Sequence, residues 1–228
     1  MEIYWIMIKD KARLLYNYFA SVFVKDNGLM PEFEPLVYDS SNKINVVYFP
    51  PGKVKAIKKV KTNGSGGDDK LPNILFFNVA TEFAFPLSCI FNFSMTSSCV
   101  PSTWISGIVI LIFKKGSTSN AVHYRPITLT CISCKIMDTI IKNHLISNLY
   151  SNKLISKHQH GFHSKHSTST QLLECVNDWA IQISKKRKVD IAYLDFAKAF
   201  DSIVHKKLLF KLKAYGVDGL LLNLIESF

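Results

Sequence analysis

The stretch VDIAYLDFAKAFD, residues 189–201, combines an apolar run with two carboxylates that follow it. Its first six residues, 189–194, include β-branched and aromatic side chains and predict a strand that ends at Asp195. A carboxylate at the end of a buried strand is where α/β enzymes place metal and phosphate chemistry, because the strand fixes the backbone while its end opens to solvent. The same residues allow a simpler interpretation, in which Asp195 closes a turn and Asp201 caps the next helix.

The rest of the chain alternates predicted helices with a predicted hairpin. Apolar periodicity predicts helices over residues 11–24, 53–61, 71–95 with a break near Pro86, 135–150, 167–184, 206–215 and 219–228. A strand over 107–113 and a second one from Tyr124 flank a basic turn and predict a hairpin. Helices interleaved with strands predict an α+β fold. We divide it into a helical segment (1–62), a flexible Gly-rich linker (63–70) and a main domain (71–228).

Several apolar sets are expected to face the core. In the helix predicted over 135–150 these are Ile136, Ile140, Ile141, Leu145 and Leu149, and in the helix over 167–184 they are Leu172, Leu173, Val176, Trp179 and Ile183. The segment 71–95 contributes a series of aromatic candidates, which are Phe76, Phe77, Phe83, Phe85, Phe91 and Phe93. A core of this size agrees with a chain of 228 residues that is 48% hydrophobic and 20% charged.

The charge of the chain is strongly basic and unevenly distributed. Residues 101–228 hold 17 of the 28 Lys and Arg but only 8 of the 17 Asp and Glu, so most of the net charge of +11 lies there. This balance favours a polyanionic partner, nucleic acid first and an acidic membrane surface second. The five cysteines are odd in number and scattered, which favours a reducing, intracellular compartment over secretion. The longest late apolar run, 107–113, is too short to span a bilayer, so no membrane segment is expected.

A series of short blocks in the second half of the chain is similar to one protein family. In chain order the blocks are Pro101-x-x-Trp104, Ile112–Gly116, Tyr124–Leu129, Lys135–Asp138, Gln159–Phe162 and Leu194–Ser202 with His205. Together they closely resemble the reverse transcriptases of non-LTR retrotransposons of the jockey type. The resemblance covers residues 101–228, and residues 9–100 are similar to the segment that precedes the polymerase in these proteins.

The resemblance implies an incomplete right-hand polymerase fold, with fingers and a partial palm, preceded by a mainly helical segment. It also implies an enzyme that adds dNTPs to a DNA primer on an RNA template by a two-metal mechanism with Mg²⁺. Asp195 matches the first metal-binding aspartate, with the backbone carbonyl of Phe196 as a further ligand. Lys114, Lys115 and Arg125 match the residues of the fingers that bind the nucleotide triphosphate.

The same resemblance implies roles for two further sets of residues. Phe200 matches the bulky gate residue that would clash with a ribose 2′-hydroxyl, while core packing is its alternative interpretation. Gln159, Gly161 and Phe162 fall in a loop that resembles the template-contacting segment. The next residue departs from the family, because His163 stands where an arginine is usual and is a weaker phosphate partner at neutral pH.

The family's later motifs, which carry the remaining metal carboxylates, would lie beyond Phe228. Since only the first of the catalytic aspartates is present, we expect a truncated element copy that is inactive alone, with an open strand edge and poor solubility. The alternative function is a non-catalytic nucleic-acid-binding remnant that keeps the basic fingers. No protein partner is predicted.

Three other patterns have a functional and a simpler interpretation. Cys131-x-x-Cys134 is half of a zinc site, but no second pair follows and two buried thiols are favoured. The loop histidines His158, His160, His163 and His166 are close in sequence but lie in a polar loop without a carboxylate-rich neighbourhood, so nucleic-acid contact or solvation is favoured over metal binding. The run Lys185–Lys188 suits nuclear import or phosphate-backbone binding, and a solvated turn is the simpler interpretation.

Overall fold

The computed structural model describes residues 2–32, 34–37, 42–54, 64 and 66–228. Its helices and strands are α1 (Glu2–Ala20), α2 (Pro51–Val54), α3 (Asn73–Asn78), α4 (Ala80–Ser97), α5 (Ser102–Ile105), β1 (Ile108–Phe113), β2 (Tyr124–Leu129), α6 (Ile132–Ser151), α7 (Thr168–Ser184), α8 (His205–Ala214) and α9 (Gly219–Glu226). A 3₁₀ turn over Ala121–His123 precedes β2. The mixture of helix and sheet agrees with the predicted α+β class. No helix in these ranges is long and apolar enough to cross a membrane.

The first helix is longer at its start and shorter at its end than the sequence predicts. It ends at Ala20 and not at Val24, and the hydroxyl of Ser21 donates a hydrogen bond to the Tyr18 carbonyl oxygen at 2.7 Å. That contact satisfies one of the free carbonyls at a helix C-terminus. Beyond Val54, the basic helix predicted over 53–61 lies outside the described residues.

The core forms where α4, α6 and α9 meet an extended segment, residues 44–50. Phe49 and Phe91 are fully buried, and their rings meet edge to face with centroids 5.5 Å apart. Asn92 fastens the extended segment, because its Oδ1 accepts from the Phe49 amide and its Nδ2 donates to the Phe49 carbonyl, both at 3.1 Å. The Ser88 hydroxyl also donates to the Phe49 carbonyl, at 2.5 Å. Side chains of α4 thereby hydrogen-bond the backbone of this segment, which has no regular secondary structure over residues 45–50.

This core joins residues on both sides of the predicted linker at 63–70. Val47 and Val54 belong to the same buried cluster as Met137 and Leu221. Gly67, inside the predicted linker, is buried, and a Cβ there would overlap the backbone nitrogen of Cys131. Only glycine allows this approach of two backbones. The predicted division into residues 1–62, 63–70 and 71–228 stays a prediction. In the structure, residues before and after the predicted linker pack in one core.

Helix α4 continues through Pro86, so the predicted break near Pro86 is wrong. The break lies at Val79, whose backbone angles (φ −104°, ψ 24°) separate α3 from α4. A proline inside a helix costs about 3 kcal/mol because it removes one hydrogen bond and crowds the preceding turn. Burial of the α4 face that contains Ala84, Leu87 and Phe91 offsets this cost.

The aromatic candidates of residues 71–95 divide between the core and the surface. Phe76 and Phe91 are buried and Phe83 is half-buried, as predicted, but Phe77, Phe85 and Phe93 are exposed, so these three core predictions are wrong. Because successive helical residues are 100° apart, Phe85 and Phe93 lie outside the arc that contains Phe91.

The predicted hairpin is present. Strands β1 and β2 pair antiparallel, with Ile108 opposite Leu129 and Phe113 opposite Tyr124. They form the only sheet in the described part of the chain. No residue of either strand is buried, so the hairpin projects from the core.

The strand predicted over 189–194 is absent, and this prediction is wrong. Residues 187–196 have no regular secondary structure, and the Leu194 side chain is 93% exposed. An extended segment becomes a strand only when a neighbour satisfies its backbone N–H and C=O groups. None of the described residues provides such a neighbour.

Helix α7 forms as predicted, but its apolar face is not in the core. Its N-terminus has a capping box, in which the Ser167 side chain accepts from the Thr170 amide and the Thr170 hydroxyl accepts from the Ser167 amide. Leu172, Leu173 and Val176, predicted to face inward, are exposed. Ile183 is also exposed and Trp179 is half-buried. In α6, by contrast, Ile136, Ile140 and Ile141 are buried and Leu145 and Leu149 are half-buried, as predicted.

Candidate nucleotide and nucleic-acid site

The hairpin carries the predicted triphosphate-binding cations. Lys114 and Lys115 follow β1, Arg125 lies on β2, and all three are exposed. Arg125 pairs with Ile112 in the register, and the Lys114 amide donates to the His123 carbonyl at 2.7 Å. Side chains alternate along a strand, so Lys114 and Arg125 lie on the same face as Ile112. None of the ion pairs among the described residues involves these cations.

The turn between the two strands is braced by its own polar groups. Gly116 has a φ of +92°, and a Cβ there would overlap the His123 ring. The Nδ1 of His123 lies 2.9 Å from the Ser117 carbonyl oxygen, and the Tyr124 hydroxyl donates to the Thr118 carbonyl at 2.8 Å. The His123 ring therefore fills the turn. The lysines project from a fixed backbone.

Asp195 and Phe196, the predicted metal ligands, lie in an exposed segment that leads into a turn at 197–202. Phe196 is 84% exposed. Lys198 has a φ of +52°, and its carbonyl accepts from the Ser202 amide at 3.1 Å. The Lys198 Nζ lies 4.6 Å from the centre of the Tyr18 ring in α1, which is within cation–π range.

Helix α1 also packs against the 3₁₀ turn at Ala121–His123. The structure therefore connects the hairpin and the Asp195 turn through α1, a contact that sequence reasoning missed. Tyr18 belongs to a stretch that the resemblance already included, but nothing in its spacing indicated Lys198 as its partner.

The predicted template loop has one buried residue among exposed ones. The Gln159 side chain donates to the Gly161 carbonyl at 3.3 Å, and Phe162 is 87% exposed with a φ of +62°. The Phe162 ring meets the ring of Phe200, the predicted gate residue, edge to face at 6.3 Å. The structure thus brings one template-loop residue and the gate residue together. Phe200 is 77% exposed, so its alternative interpretation as a core residue is wrong.

Glu174 is the residue of this region that the sequence did not indicate. Its two carboxylate oxygens contact His158 Nδ1 at 3.2 Å and His160 Nε2 at 2.8 Å. Hydrogen bonds from His160 and then from His158 lower the pKa of Glu174. One carboxylate, that of Glu174, therefore lies beside two of these histidines, a contact that the sequence did not indicate. The partners are 14 and 16 residues apart in sequence, a distance at which neither helical nor strand periodicity applies.

The residues present do not complete a Mg²⁺ site. Mg²⁺ takes oxygen ligands in octahedral geometry, usually carboxylates with water and substrate phosphates. Asp195 offers one carboxylate and Phe196 one carbonyl, and the described residues contain no group of three or more histidine, cysteine or acidic side chains that could hold a metal ion.

Cys131 and Cys134 are buried free thiols, the favoured interpretation of this pair. The Cys131 thiol donates to the Thr103 carbonyl at 3.4 Å, and the Cys134 thiol lies 3.7 Å from Asp138 Oδ2. Burial, together with Asp138, raises the pKa of Cys134 to about 12, and burial raises that of Asp138.

Comparison with known proteins identifies the family. The model of the family "Reverse transcriptase (RNA-dependent DNA polymerase)" matches residues 112–228. The chain is 33% identical over 159 residues to the RNA-directed DNA polymerase from mobile element jockey of Drosophila melanogaster, a match that covers 69% of this chain and 17% of the relative.

Two further relatives give the same result. The jockey polymerase of Drosophila funebris is 30% identical over 173 residues, covering 75% of this chain and 19% of that protein. The probable RNA-directed DNA polymerase from transposon BS of Drosophila melanogaster is 26% identical over 161 residues, covering 70% and 18%. The chain thus spans less than a fifth of the length of these relatives. The predicted resemblance is confirmed: the chain belongs to the reverse transcriptase family and is similar to polymerases of jockey-type mobile elements.

Proposed function

We propose that this chain is the fingers and first palm part of an RNA-directed DNA polymerase of a non-LTR retrotransposon, and that it does not polymerise by itself. The observation that carries the proposal is the family match over residues 112–228, which includes both the Arg125 strand and the Asp195 turn. The enzyme would take an RNA template, a DNA primer and dNTPs.

The hairpin is proposed to bind the triphosphate of the incoming nucleotide. Arg125 presents a planar guanidinium that pairs with two phosphate oxygens, and Lys114 adds a point charge on the same face. Lys115 adds a third cation from the braced turn. Because no described acidic side chain forms an ion pair with them, these cations are available to an anionic ligand.

The aromatic residues are proposed to contact the template and the sugar. Phe162 and Phe200 expose their rings next to each other, and exposed rings of this kind stack on bases without regard to sequence. Gln159 and Gly161 would contact the template backbone from the same loop. Phe200 would exclude a 2′-hydroxyl by its bulk.

Asp195 is proposed to supply one ligand of a metal site that needs further carboxylates. The described residues provide too few oxygen ligands for Mg²⁺, so we derive no chemical step for the chain alone. The same observation favours the second candidate function, a non-catalytic nucleic-acid-binding remnant whose exposed cations still bind phosphates.

Binding of a fluorescent RNA–DNA primer–template tests the hairpin. Replacing Lys114, Lys115 and Arg125 by Ala should weaken binding, and the slope of log affinity against log salt should become shallower by roughly one unit for each lost phosphate contact. The matched control replaces Lys142, Lys206 and Lys213, three exposed lysines of α6 and α8, and removes the same charge. An equal loss in both variants would remove the hairpin from the proposal.

Primer extension separates the two functions. The chain alone should not extend a primer, while extension should occur when the downstream part of a jockey polymerase is added and should be abolished by Asp195→Ala. The same variant should leave primer–template binding almost unchanged. If the mixture never extends a primer although it binds one, the non-catalytic function is supported and the polymerase assignment fails.

A further inference from the structure

A carboxylate with two histidine partners joins the template loop to α7. Glu174 lies in the second turn of α7. Its two carboxylate oxygens form hydrogen bonds with His158 and His160 of the loop. We call these three side chains the Glu174 fork. The oxygen-to-nitrogen distances of 3.2 and 2.8 Å are those of hydrogen bonds, and the carboxylate is engaged on both oxygens.

The fork is anchored on the helix side by more than one contact. His160 is the most buried residue of the loop, with 8% of its surface exposed, and its Nδ1 lies 3.0 Å from the Thr170 hydroxyl. Thr170 in turn belongs to the capping box with Ser167. Both ring nitrogens of His160 are therefore held by the first two turns of α7.

The loop residues with predicted template roles lie between the two histidines of the fork or directly after them. His158 and His160 flank Gln159, and Gly161 and Phe162 follow directly. Phe162 adopts a left-handed φ of +62°, which costs a residue other than glycine about 1 to 2 kcal/mol. A backbone of this kind persists only where its surroundings impose it. The His160 contacts of the fork lie one residue before Gly161 and two before Phe162, so they restrain this part of the loop.

We propose that Glu174 is a positioning residue that holds the Gln159–Phe162 loop in the conformation that contacts a single-stranded RNA template. The proposal rests on the proposed function, since the loop's ligand is taken from it. Glu174 touches no substrate in this role and acts through His158 and His160.

Neutralising Glu174 changes RNA affinity in opposite directions for a positioning role and for a purely electrostatic effect. Removing a negative charge near a nucleic-acid site should by itself strengthen RNA binding. A positioning role predicts the opposite, because the neutral side chain holds the two histidines less strongly. The direction of the change in affinity therefore distinguishes the two effects.

The matched pair of variants is Glu174→Gln and Asp178→Asn. Asp178 lies one turn further along α7, is exposed, and makes no side-chain hydrogen bond or ion pair with the described residues. Binding of a fluorescent single-stranded RNA to the full chain should weaken about three- to tenfold in Glu174→Gln, the equivalent of losing one or two net hydrogen bonds. Asp178→Asn should leave binding equal or slightly tighter.

A spectroscopic titration tests the fork without RNA. The side-chain carboxyl carbon of Glu174, followed by NMR, should titrate at a lower pH than an ordinary glutamate, because the hydrogen bonds from His160 and His158 lower its pKa. His160→Asn should return the Glu174 titration toward the ordinary glutamate range, because the largest of its stabilising hydrogen bonds is removed. An ordinary titration of Glu174 in the parent chain would overturn the fork.

The outcomes separate this inference from the proposed function. If the parent chain binds RNA and Glu174→Gln binds it as tightly as Asp178→Asn does, the positioning role fails while the proposed function survives. If the parent chain binds no RNA, the proposed function fails, and the positioning role of Glu174 fails as well. Circular dichroism of each variant should show an unchanged helix content for the whole chain. Glu174→Asp, which keeps the charge but shortens the reach, should recover part of the lost affinity.

Discussion

Two regions of the molecule are built from similar residues, but one is packed into a buried core and the other is exposed to solvent. The packed body, residues 42–54, 66–151 and 214–228, contains the fully buried side chains of Phe49, Phe91 and Met137. The open region, residues 161–213, contains no buried residue at all. Most residues predicted to handle nucleic acid or metal, Asp195 and Phe162 among them, lie in the open region. The predicted chemistry thus lies mainly in the open region and, for Lys114, Lys115 and Arg125, on the projecting hairpin, whereas the buried side chains lie in the packed body.

Helices α6 and α7 show the cause of the difference. Both have an apolar face at helical spacing, but α6 packs against α2 and the extended segment, and buries Ile136 and Ile140. Helix α7 has no buried residue, and Leu173 is 69% exposed. Amphipathic patterning defines a face that can be buried, and burial itself requires an opposing surface.

The largest expected difference between the two regions is in the reactivity of their cysteine thiols. Cys134 of α6 and Cys175 of α7 should differ in alkylation by iodoacetamide at pH 8, with Cys175 reacting faster on the order of a hundredfold or more. The reason is that burial and Asp138 raise the pKa of Cys134 to about 12, so almost no thiolate is present, whereas Cys175 is half-buried in the open region. Peptide mapping by mass spectrometry measures both rates in one sample.

Cys89 serves as the internal control for this experiment. It lies on α4 in the packed body but is exposed, so it should react quickly. Fast alkylation of Cys134 in the folded chain would mean that α6 is not packed as described.

The next effect is on the free energy of unfolding. Phe91→Ala should destabilise the chain by about 3 to 5 kcal/mol, because it removes a fully buried ring that contacts Phe49 and Trp104 edge to face. Leu173→Ala in the open region should cost less than about 0.5 kcal/mol. Urea unfolding followed by circular dichroism measures both values.

Phe93→Ala is the control within the same helix. Phe93 is 71% exposed on the other side of α4, so its loss should cost as little as that of Leu173. A cost at Leu173 close to that at Phe91 would show that α7 is packed in solution and would remove the distinction between the two regions.

The sequence predicts the parts of the molecule that depend on local rules. The hairpin follows from β-branched runs around a basic turn, and the α6 face follows from the spacing of Ile136, Ile140 and Ile141. The family was recognisable from short ordered blocks. These signals are contained in residues that are close along the chain, so a single sequence is enough to predict them.

The remaining features depend on contacts between distant residues. Periodicity could not indicate that Phe85 lies outside the buried arc of α4, since the aromatic residues occur all around that helix. The apolar run at 189–194 has the composition of a strand but no described partner to pair with. Glu174 and Asn92 act on residues 14 to 43 positions away, and nothing in the spacing of those partners indicates the contacts.

The smallest predicted effect concerns the contact that ties the open region to α1. Tyr18→Leu removes the ring beneath the Lys198 ammonium group, a cation–π contact worth about 0.5 to 1 kcal/mol at an exposed site. The global free energy of unfolding should change little, but the Ser202 amide, which donates to the Lys198 carbonyl, should exchange with solvent about two- to fivefold faster. Tyr18→Phe keeps the ring and should behave as the parent, and Tyr16→Leu, on the exposed side of the same helix, should have no effect. If Tyr18→Leu leaves Ser202 exchange unchanged, the Asp195 turn is held by its own backbone hydrogen bonds, and α1 does not contribute to the order of the open region.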